Sequence, residues 1–380
     1  MQLSVTLFAL FSPAVLASWL AQYNVEVVHT THLDNGHILD WIKPESQGSI
    51  ASPPSRLPNN STENEELTKS LLKNLKTGPP GTVPVLRRDN KMTIPKVVPP
   101  APGSKPKSRI DRRQYAQKHW YASSSQNWDG HGTSGHFSMY NAYVYSDSDF
   151  SLLQLAAIRE NVPGVVGTGY TGLQTVESGW IHYARYGRNP TLFTFYTTNG
   201  HGTYGDNLCS WNTDHKGWVQ VDNTYYPGME MTPLATVGGD ANEFAIDVLL
   251  DKGNWWIGIN GKWIGYYPAS MFTRNGNTAD QTLESKTNRV DWYGEVYQDE
   301  GALTTTDMGS GHFASEGYGK SAFIRLLTLT GLDGSKTNYN GRTFQDDTSR
   351  YTIDPHFDGG GDWGSYMFLG GPGAGGVSGG

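Results

Sequence analysis

From about residue 118 onward, hydrophobic and polar positions alternate with the period of two that is typical of β-strands. The clearest example is 244–250, where large apolar residues occupy every second position. A second strand is predicted over 255–259 and a third over 262–267. Asn260-Gly261 lies between them and is a strong signal for a tight hairpin turn. Together these segments predict a three-stranded antiparallel meander.

Similar short apolar runs recur through the rest of this region. They predict strands at 136–145, 150–156, 191–197, 216–221, 289–297 and 321–329. Many short strands separated by Gly- and Asn-rich turns indicate an all-β protein, an antiparallel sandwich or a barrel. The Gly-rich tail, 358–380, is expected to be loosely ordered at its end.

The front of the chain has a different composition. Residues 44–106 contain 12 of the 20 prolines, which predicts a partly disordered segment because it can bury little apolar surface. One short amphipathic helix is expected near 62–76, where Thr62 and Glu65 form a capping-box pattern ahead of leucines at helical spacing. Asn59 and Asn60 start overlapping Asn-x-Ser/Thr sequons and are candidate glycosylation sites.

The uncharged apolar stretch 1–17 ends in small residues at Val15 and Ala17, as a secretory signal peptide does, and predicts a secreted protein. From residue 18 to Arg113 there are 14 Lys/Arg and 9 Asp/Glu, whereas 114–380 holds 15 and 27. A basic leader would therefore be attracted to an acidic remainder. Paired arginines at Arg112-Arg113 predict processing there, which makes 18–113 a propeptide; a solvated basic linker is the alternative.

Composition removes several classes of protein. Cys209 is the only cysteine, so neither an intramolecular disulfide nor a cysteine-based zinc site can form. A net charge of −7 disfavours nucleic acid as a partner. The histidines and aspartates show no metal-ligand spacing, and no cofactor motif stands in a suitable strand-and-helix context, so we expect neither metal nor cofactor. The apolar stretch 1–17 is shorter than a membrane-spanning helix, and no longer apolar stretch follows it. We therefore expect a soluble monomer.

Two glutamates stand out because they lie in strand-like, apolar surroundings. Glu177 occurs in Gln174-Thr-Val-Glu-Ser-Gly-Trp180, and Glu295 follows Trp292-Tyr293-Gly294. Two buried carboxylates facing one cleft would share a proton, one acting as general base and the other as general acid. Glutamates on the outward face of a strand are the alternative.

At these residues the chain resembles the neprosin family of secreted glutamic prolyl endopeptidases. The resemblance rests on the two glutamate segments, on Leu303-Thr-Thr-Thr-Asp-Met-Gly-Ser-Gly-His-Phe313 and on Gly81-Thr-Val-Pro-Val-Leu-Arg-Arg88, which is similar to an activation-peptide signature. It implies a zymogen with a two-sheet antiparallel sandwich, with Glu177 and Glu295 as the catalytic pair and with cleavage after proline. The cysteines that accompany Cys209 in plant members are absent, and Tyr293 stands where a glycine is frequent.

The implied mechanism is attack on a peptide bond by water, with activity at acidic pH and the propeptide as an intramolecular inhibitor. Proline-rich peptides or proteins would be the substrates. An aromatic slot for proline is expected from Trp180, Trp292 and Tyr293, and oxyanion stabilisation from Gln174, Ser310 and His312. Two other functions fit an aromatic-rich sandwich: carbohydrate binding, and glycoside hydrolysis by carboxylates about 5–9.5 Å apart.

Overall fold

Antiparallel β-structure forms nearly all of the regular structure. The computed structural model describes residues 25–56, 58, 75–87, 96, 117–167, 171–357 and 360–380, and α-helix is absent from these residues. The strands are β1 (Val27–His32), β2 (Ile38–Ile42), β3 (Val83–Arg87), β4 (Lys118–Ser138), β5 (Phe150–Arg159), β6 (Gln174–Tyr183), β7 (Thr191–Thr197), β8 (Cys209–Trp211), β9 (Val219–Gln220), β10 (Glu243–Asp251), β11 (Asn254–Ile259), β12 (Lys262–Pro268), β13 (Thr287–Gln298), β14 (Ala322–Gly331), β15 (Lys336–Asn338), β16 (Arg342–Gln345), β17 (Thr352–His356) and β18 (Tyr366–Gly370). Short 3-10 turns lie at Pro44–Gln47, Ala184–Tyr186, Ala269–Phe272, Ala279–Gln281, Ala314–Glu316 and Gly373–Gly375.

Strand β4, 21 residues long, joins the two halves of the main sheet. Its residues 118–130 pair with β13, and its residues 132–138 pair with β10. The first half has the order β8-β7-β6-β5-β13-β4-β16, and the second half runs from β9 through β12, β11 and β10 to β4, β14, β18 and β17. Because β10 of the second half lies against β6 of the first, the sheet folds over itself into two facing layers. The predicted antiparallel β-sandwich is confirmed.

The largest apolar cluster fills the space between the two layers. Alternate residues of the first layer, including Trp180 and Trp292, meet Ile246, Trp255 and Leu329 of the second layer. The opposite face of the first layer carries a second cluster, which includes Phe150, Phe195, Trp211, Tyr293 and Tyr297. Successive side chains of a strand point to opposite faces, so each strand of the first layer contributes to both clusters.

The leader contains more regular structure than its composition predicts. Strands β1, β2 and β3 form a separate antiparallel sheet in that order, so disorder is the wrong prediction for residues 83–87. Trp41 of the central strand is buried in the main cluster, and apolar burial of this size offsets the ordering of the leader. Pro84 lies in the edge strand β3, where the missing N–H costs no ladder hydrogen bond.

Several predicted boundaries are corrected. The strand predicted over 136–145 ends at Ser138, and the strand predicted over 216–221 is limited to β9. The end of the tail is held by hydrogen bonds, because the Gly379 N–H donates to Oδ2 of Asp307 at 2.9 Å and the Ser378 hydroxyl donates to the carbonyl of Ser310 at 2.9 Å.

The expected signal peptide with Ala17, the sequons at Asn59 and Asn60, and the processing site at Arg113 lie outside the described residues, as does the predicted helix except for residues 75 and 76. Among the helical segments that the structure describes, none has the length and hydrophobicity required to cross a membrane.

Candidate active site

Glu177 and Glu295 face the same side of the first layer. Glu177 lies on β6 and Glu295 on β13, and β5 pairs with both strands between them. Both side chains belong to the face opposite the sandwich core, and both residues are fully buried. The strand positions expected from the sequence are therefore correct, and the two carboxylates, although 118 positions apart in the chain, share one site.

One ammonium group contacts both carboxylates. Nζ of Lys96, a residue of the leader, lies 2.5 Å from Oε2 of Glu295 and 3.6 Å from Oε2 of Glu177. Because one ammonium nitrogen contacts both groups, the two carboxylates lie around the same small buried space.

The hydrogen-bond donors around Glu177 are neutral apart from Lys96. Thr175 Oγ1 donates to Oε1 at 2.7 Å, and Oε2 accepts from Gln154 Nε2 at 2.5 Å and from the Tyr293 hydroxyl at 3.2 Å. Such donors satisfy a buried carboxyl without adding positive charge.

Glu295 has a more positive environment. Its Oε2 accepts from Lys96, while its Oε1 lies 2.5 Å from Nδ1 of His119 and 3.4 Å from the Tyr121 hydroxyl. Burial by itself would raise the pKa of Glu295, but the Lys96 ammonium and the His119 ring together hold that pKa below its usual value. These two partners therefore favour the ionised form of Glu295 in this state.

Tyr293 lies between the two glutamates. Its hydroxyl accepts from Gln154 Nε2 at 2.5 Å and donates to Glu177. Burial, with added repulsion from the nearby carboxylates, raises the pKa of Tyr293 well above its usual value, so the phenol stays protonated. The residue that replaces a frequent glycine of the family thus supplies an O–H donor to the site.

Lys96 is enclosed by aromatic rings as well as by the carboxylates. Its ammonium lies 5.1 Å from the ring centre of Tyr293 and 5.7 Å from that of Trp211, distances at which cation–π attraction acts. Its backbone hydrogen-bonds to Tyr204, in the loop after β7, and lies next to the ring of His201. Burial, followed by the Lys96 charge, lowers the pKa of His201 to about 3, so its ring is neutral.

The two predicted tryptophans lie on the wrong face for a proline slot. Trp180 and Trp292 each stand three residues from a glutamate of the same strand, and an odd spacing places side chains on opposite faces of a sheet. Trp180 donates its indole N–H to the carbonyl of Ser138 at 2.8 Å inside the sandwich core. Of the predicted aromatic slot, the structure brings only Tyr293 to the glutamate pair.

The three predicted oxyanion residues contact other groups. Gln174, three positions before Glu177, donates to the carbonyl of Phe272 at 2.8 Å and thereby fixes a neighbouring loop. Ser310 Oγ accepts from the backbone N–H of His312 at 3.3 Å, and the His312 ring pairs with Glu316 at 3.0 Å. These contacts give Gln174 and His312 structural roles away from the carboxylates.

Residues that the sequence interpretation missed complete the site. Gln154 and His119 contact the glutamates from β5 and β4, and Lys96 does so from the leader. Strand alternation explains Thr175 and Tyr293, which are two residues from a glutamate on the same strand. Gln154 and His119 can be placed only from the sheet register, which pairs Glu295 with Tyr121 and Tyr293 with Gln154. Lys96 can be placed only from the docking of the leader. Within the described part of the chain, His, Cys, Asp and Glu side chains form no group of three or more that could hold a metal ion.

The protein is a β-sandwich with a buried glutamate pair on one of its layers, and comparisons with known proteins give the family. The sequence profile of the neprosin family matches residues 147–372, so this chain belongs to the neprosin family. The match includes both Glu177 and Glu295.

The solved structures that match this chain share little sequence with it. Scytalido-glutamic peptidase with a transition-state analogue inhibitor is 6% identical, with a TM-score of 0.36, over 67% of this chain and 98% of that one. SCP-B, a member of the eqolisin family of peptidases solved with the tripeptide Ala-Ile-His, is 7% identical, with a TM-score of 0.29, over 67% and 97% of the two chains. A galectin-like protein of unknown function from Bacillus subtilis is 13% identical, with a TM-score of 0.22, over 48% and 73%.

Proposed function

We propose that this protein is a glutamic endopeptidase, made as a latent precursor, in which Glu177 and Glu295 hydrolyse peptide bonds. The observation that carries the proposal is the buried pair of carboxylates that share one ammonium group. Membership of the neprosin family supports a peptidase.

In the proposed reaction, the ionised glutamate removes a proton from a water molecule as the water oxygen attacks the scissile carbonyl carbon. The carbonyl oxygen takes up the negative charge, and the Tyr293 hydroxyl, which donates to Glu177 before substrate binds, would turn to donate to this oxygen. The protonated glutamate then donates its proton to the leaving nitrogen as the C–N bond breaks. The proton that the first glutamate took from water then passes to the second carboxyl. This transfer restores both glutamates to their starting protonation states.

Latency follows from the position of Lys96. Its ammonium occupies the space in which the water and the peptide bond would lie, and its charge removes the need for a proton on either carboxylate. The leader is anchored on the second layer as well, since Trp263 donates to the carbonyl of Arg56 at 2.9 Å and Tyr266 accepts from the N–H of Ala51 at 3.0 Å. We therefore propose that 18–113 is an intramolecular inhibitor that is removed near Arg113.

Acid would release this inhibitor. The pKa of Glu295 is depressed by its cationic partners, so the ion pair persists above that pKa and is lost as the pH falls through it. The same low pH leaves one carboxyl protonated for the acid role. Activity in an acidic, extracellular setting, with secretion directed by residues 1–17, is the physiological context that we propose.

Cleavage after proline is proposed on family membership. Aromatic rings suit a proline ring, and Tyr293, Tyr121 and Trp211 are aromatic side chains on the same face of the sheet as the carboxylates. We propose proline-rich peptides as substrates, with no metal or cofactor required.

The test compares wild type with Glu177→Gln and Glu295→Gln after acid treatment of the full chain. We expect each substitution to lower kcat/KM on a Pro-containing peptide library by about 10²–10⁴-fold, because each removes one acid or base. Glu300→Gln, at an exposed position after β13, serves as the control. Undiminished peptidase activity in both variants would rule out the glutamate mechanism, and turnover of a polysaccharide instead would identify a glycosidase.

A further inference from the structure

His119, which contacts Glu295, is the main difference between the environments of the two glutamates. Its Nδ1 lies 2.5 Å from Oε1 of Glu295, and its ring packs against Tyr297 with a centroid distance of 4.9 Å. His119 is almost fully buried on β4, in the part of the chain that follows the leader. Unlike Lys96, it would therefore remain when the leader is removed.

Removal of Lys96 would leave an asymmetric pair. Glu177 would keep the Thr175 hydroxyl, the Gln154 amide and the Tyr293 phenol, which are all neutral donors. Glu295 would keep the imidazole N–H, which stabilises a carboxylate as a neutral donor and more strongly as an imidazolium.

We propose that His119 is a positioning residue that holds Glu295 as the carboxylate and thereby makes Glu295 the general base and Glu177 the general acid. This inference rests on the proposed peptidase function. The two carboxyl groups are chemically identical, and His119 distinguishes their roles. It favours the ionised form of Glu295, so the proton that either group could carry remains on Glu177.

The other titratable groups around this pair do not supply the same charge. Facing Glu295 are Lys96 from the leader, Glu177 from β6, Tyr293 and Tyr297 from β13, Tyr121 from β4 and His201 from the loop after β7. The tyrosines are neutral donors at acidic and neutral pH, and with the leader in place burial and the Lys96 charge lower the pKa of His201 to about 3. After removal of the leader, His119 is the group on these elements whose ring directly contacts a carboxylate oxygen and can carry positive charge.

The test is the pH profile of kcat/KM for the full chain after acid activation, measured on a Pro-containing fluorogenic peptide and on denatured casein. His119→Phe removes the donor but keeps an aromatic ring, and we expect the acidic limb of the profile to move up by about one to two pH units. His119→Asn keeps an N–H donor near the position of Nδ1, and we expect a smaller shift in the same direction. His182→Asn is the matched control, because His182 is a buried histidine whose Nδ1 contacts only the carbonyl of Ala142, and its acidic limb should stay in place.

Each outcome decides the matter. An acidic limb shifted in His119→Phe and partly restored in His119→Asn supports the inference. An unchanged profile, or a uniform loss of activity without a shift, overturns it and leaves His119 with a packing role. If His119→Phe fails to fold, the His119→Asn profile decides alone, and an unshifted acidic limb overturns the inference. Failure of the proposed peptidase function is seen separately, as full activity in Glu177→Gln and Glu295→Gln.

Discussion

Nζ of Lys96 lies 2.5 Å from Oε2 of Glu295, and neither side chain is exposed to solvent. A residue of the leader thus pairs with a residue 199 positions later in the chain, inside the site proposed for catalysis. A buried ion pair is held together by the cost of leaving either partner alone, since each charge without the other would be desolvated and uncompensated. The contact therefore couples the docking of the leader to the charge state of the carboxylates.

Lys96→Met should weaken latency. Removing the ammonium leaves Glu295 with one cationic partner and loosens the leader by about 3 kcal/mol, or roughly a hundredfold in occupancy of the site. We expect the precursor to show peptidase activity at a higher pH than wild type, measured as cleavage of a fluorogenic peptide from pH 3 to pH 7. Lys76→Met, which removes a half-exposed leader lysine paired with Asp34, should leave the activation pH unchanged. Equal activation of both variants would argue against an inhibitory Lys96.

Tyr293→Phe should lower the rate of the chemical step. If the phenol donates to the developing oxyanion, its loss should lower kcat about a hundredfold with little change in KM. Steady-state kinetics on one peptide at the optimum pH measures both constants. Tyr351→Phe is the matched control, because it removes an equally buried hydroxyl that donates to the carbonyl of Thr306 at 2.8 Å, away from the carboxylates. An increase of KM alone in Tyr293→Phe would point to substrate binding in place of oxyanion stabilisation.

Asp40→Ala should open the leader to proteolysis after Arg87. The buried Asp40 carboxylate accepts from Arg87 Nε at 2.7 Å and from Thr30 Oγ1 at 2.8 Å, which fixes Arg87 at the end of β3. Loss of a buried partner costs about 3–5 kcal/mol, so the three-stranded sheet should fray. Limited digestion with trypsin, followed by mass spectrometry, should show faster cleavage at Arg87 than in wild type or in the exposed control Asp34→Ala. An unaltered cleavage rate would show that Asp40 does not protect this site.

We expect Asp307 to contribute more to the free energy of unfolding at acidic pH than at neutral pH. Burial raises the pKa of Asp307 to about 6, although the Gly379 N–H and the Ser378 hydroxyl act against this rise. The pKa of this carboxyl is therefore higher in the folded protein than in the unfolded chain. Between about pH 4 and pH 6 the folded protein consequently binds more protons than the unfolded chain. The contribution of Asp307 to stability is therefore greatest below this window, and about 2–3 kcal/mol of that contribution is lost as the pH rises through it.

Urea unfolding at pH 4 and pH 7 measures this difference. Asp307→Asn should reduce the loss, because an amide does not ionise, whereas Asp333→Asn in an exposed turn should not alter it. The same pH dependence in wild type and Asp307→Asn would assign the effect to other groups.

Local pattern predicted the meander of β10, β11 and β12, and the strand-like surroundings of Glu177 and Glu295 distinguished these two glutamates from the others. The period of two and the Asn260-Gly261 turn predicted β10, β11 and β12 to within one residue at most boundaries, because strand alternation and hairpin turns depend on neighbouring residues. The resemblance carried by the segments around Glu177 and Glu295 predicted the family, which the profile match confirms. Disorder was the wrong expectation for residues 83–87, because composition does not reveal that Val83, Val85 and Leu86 are buried against other parts of the chain.

The tertiary structure alone decided what surrounds the two carboxylates. Sequence proximity suggested Trp180 and Trp292, but a spacing of three residues along a strand directs them into the sandwich core, where Trp292 packs on Tyr339 at 4.4 Å. His119, Gln154 and Lys96 reach the site from three separate elements, through the register of β4, β5 and β13 and the docking of the leader. Register and docking depend on contacts between residues far apart in the chain. The residue types near one glutamate therefore cannot specify which distant side chains will donate to it.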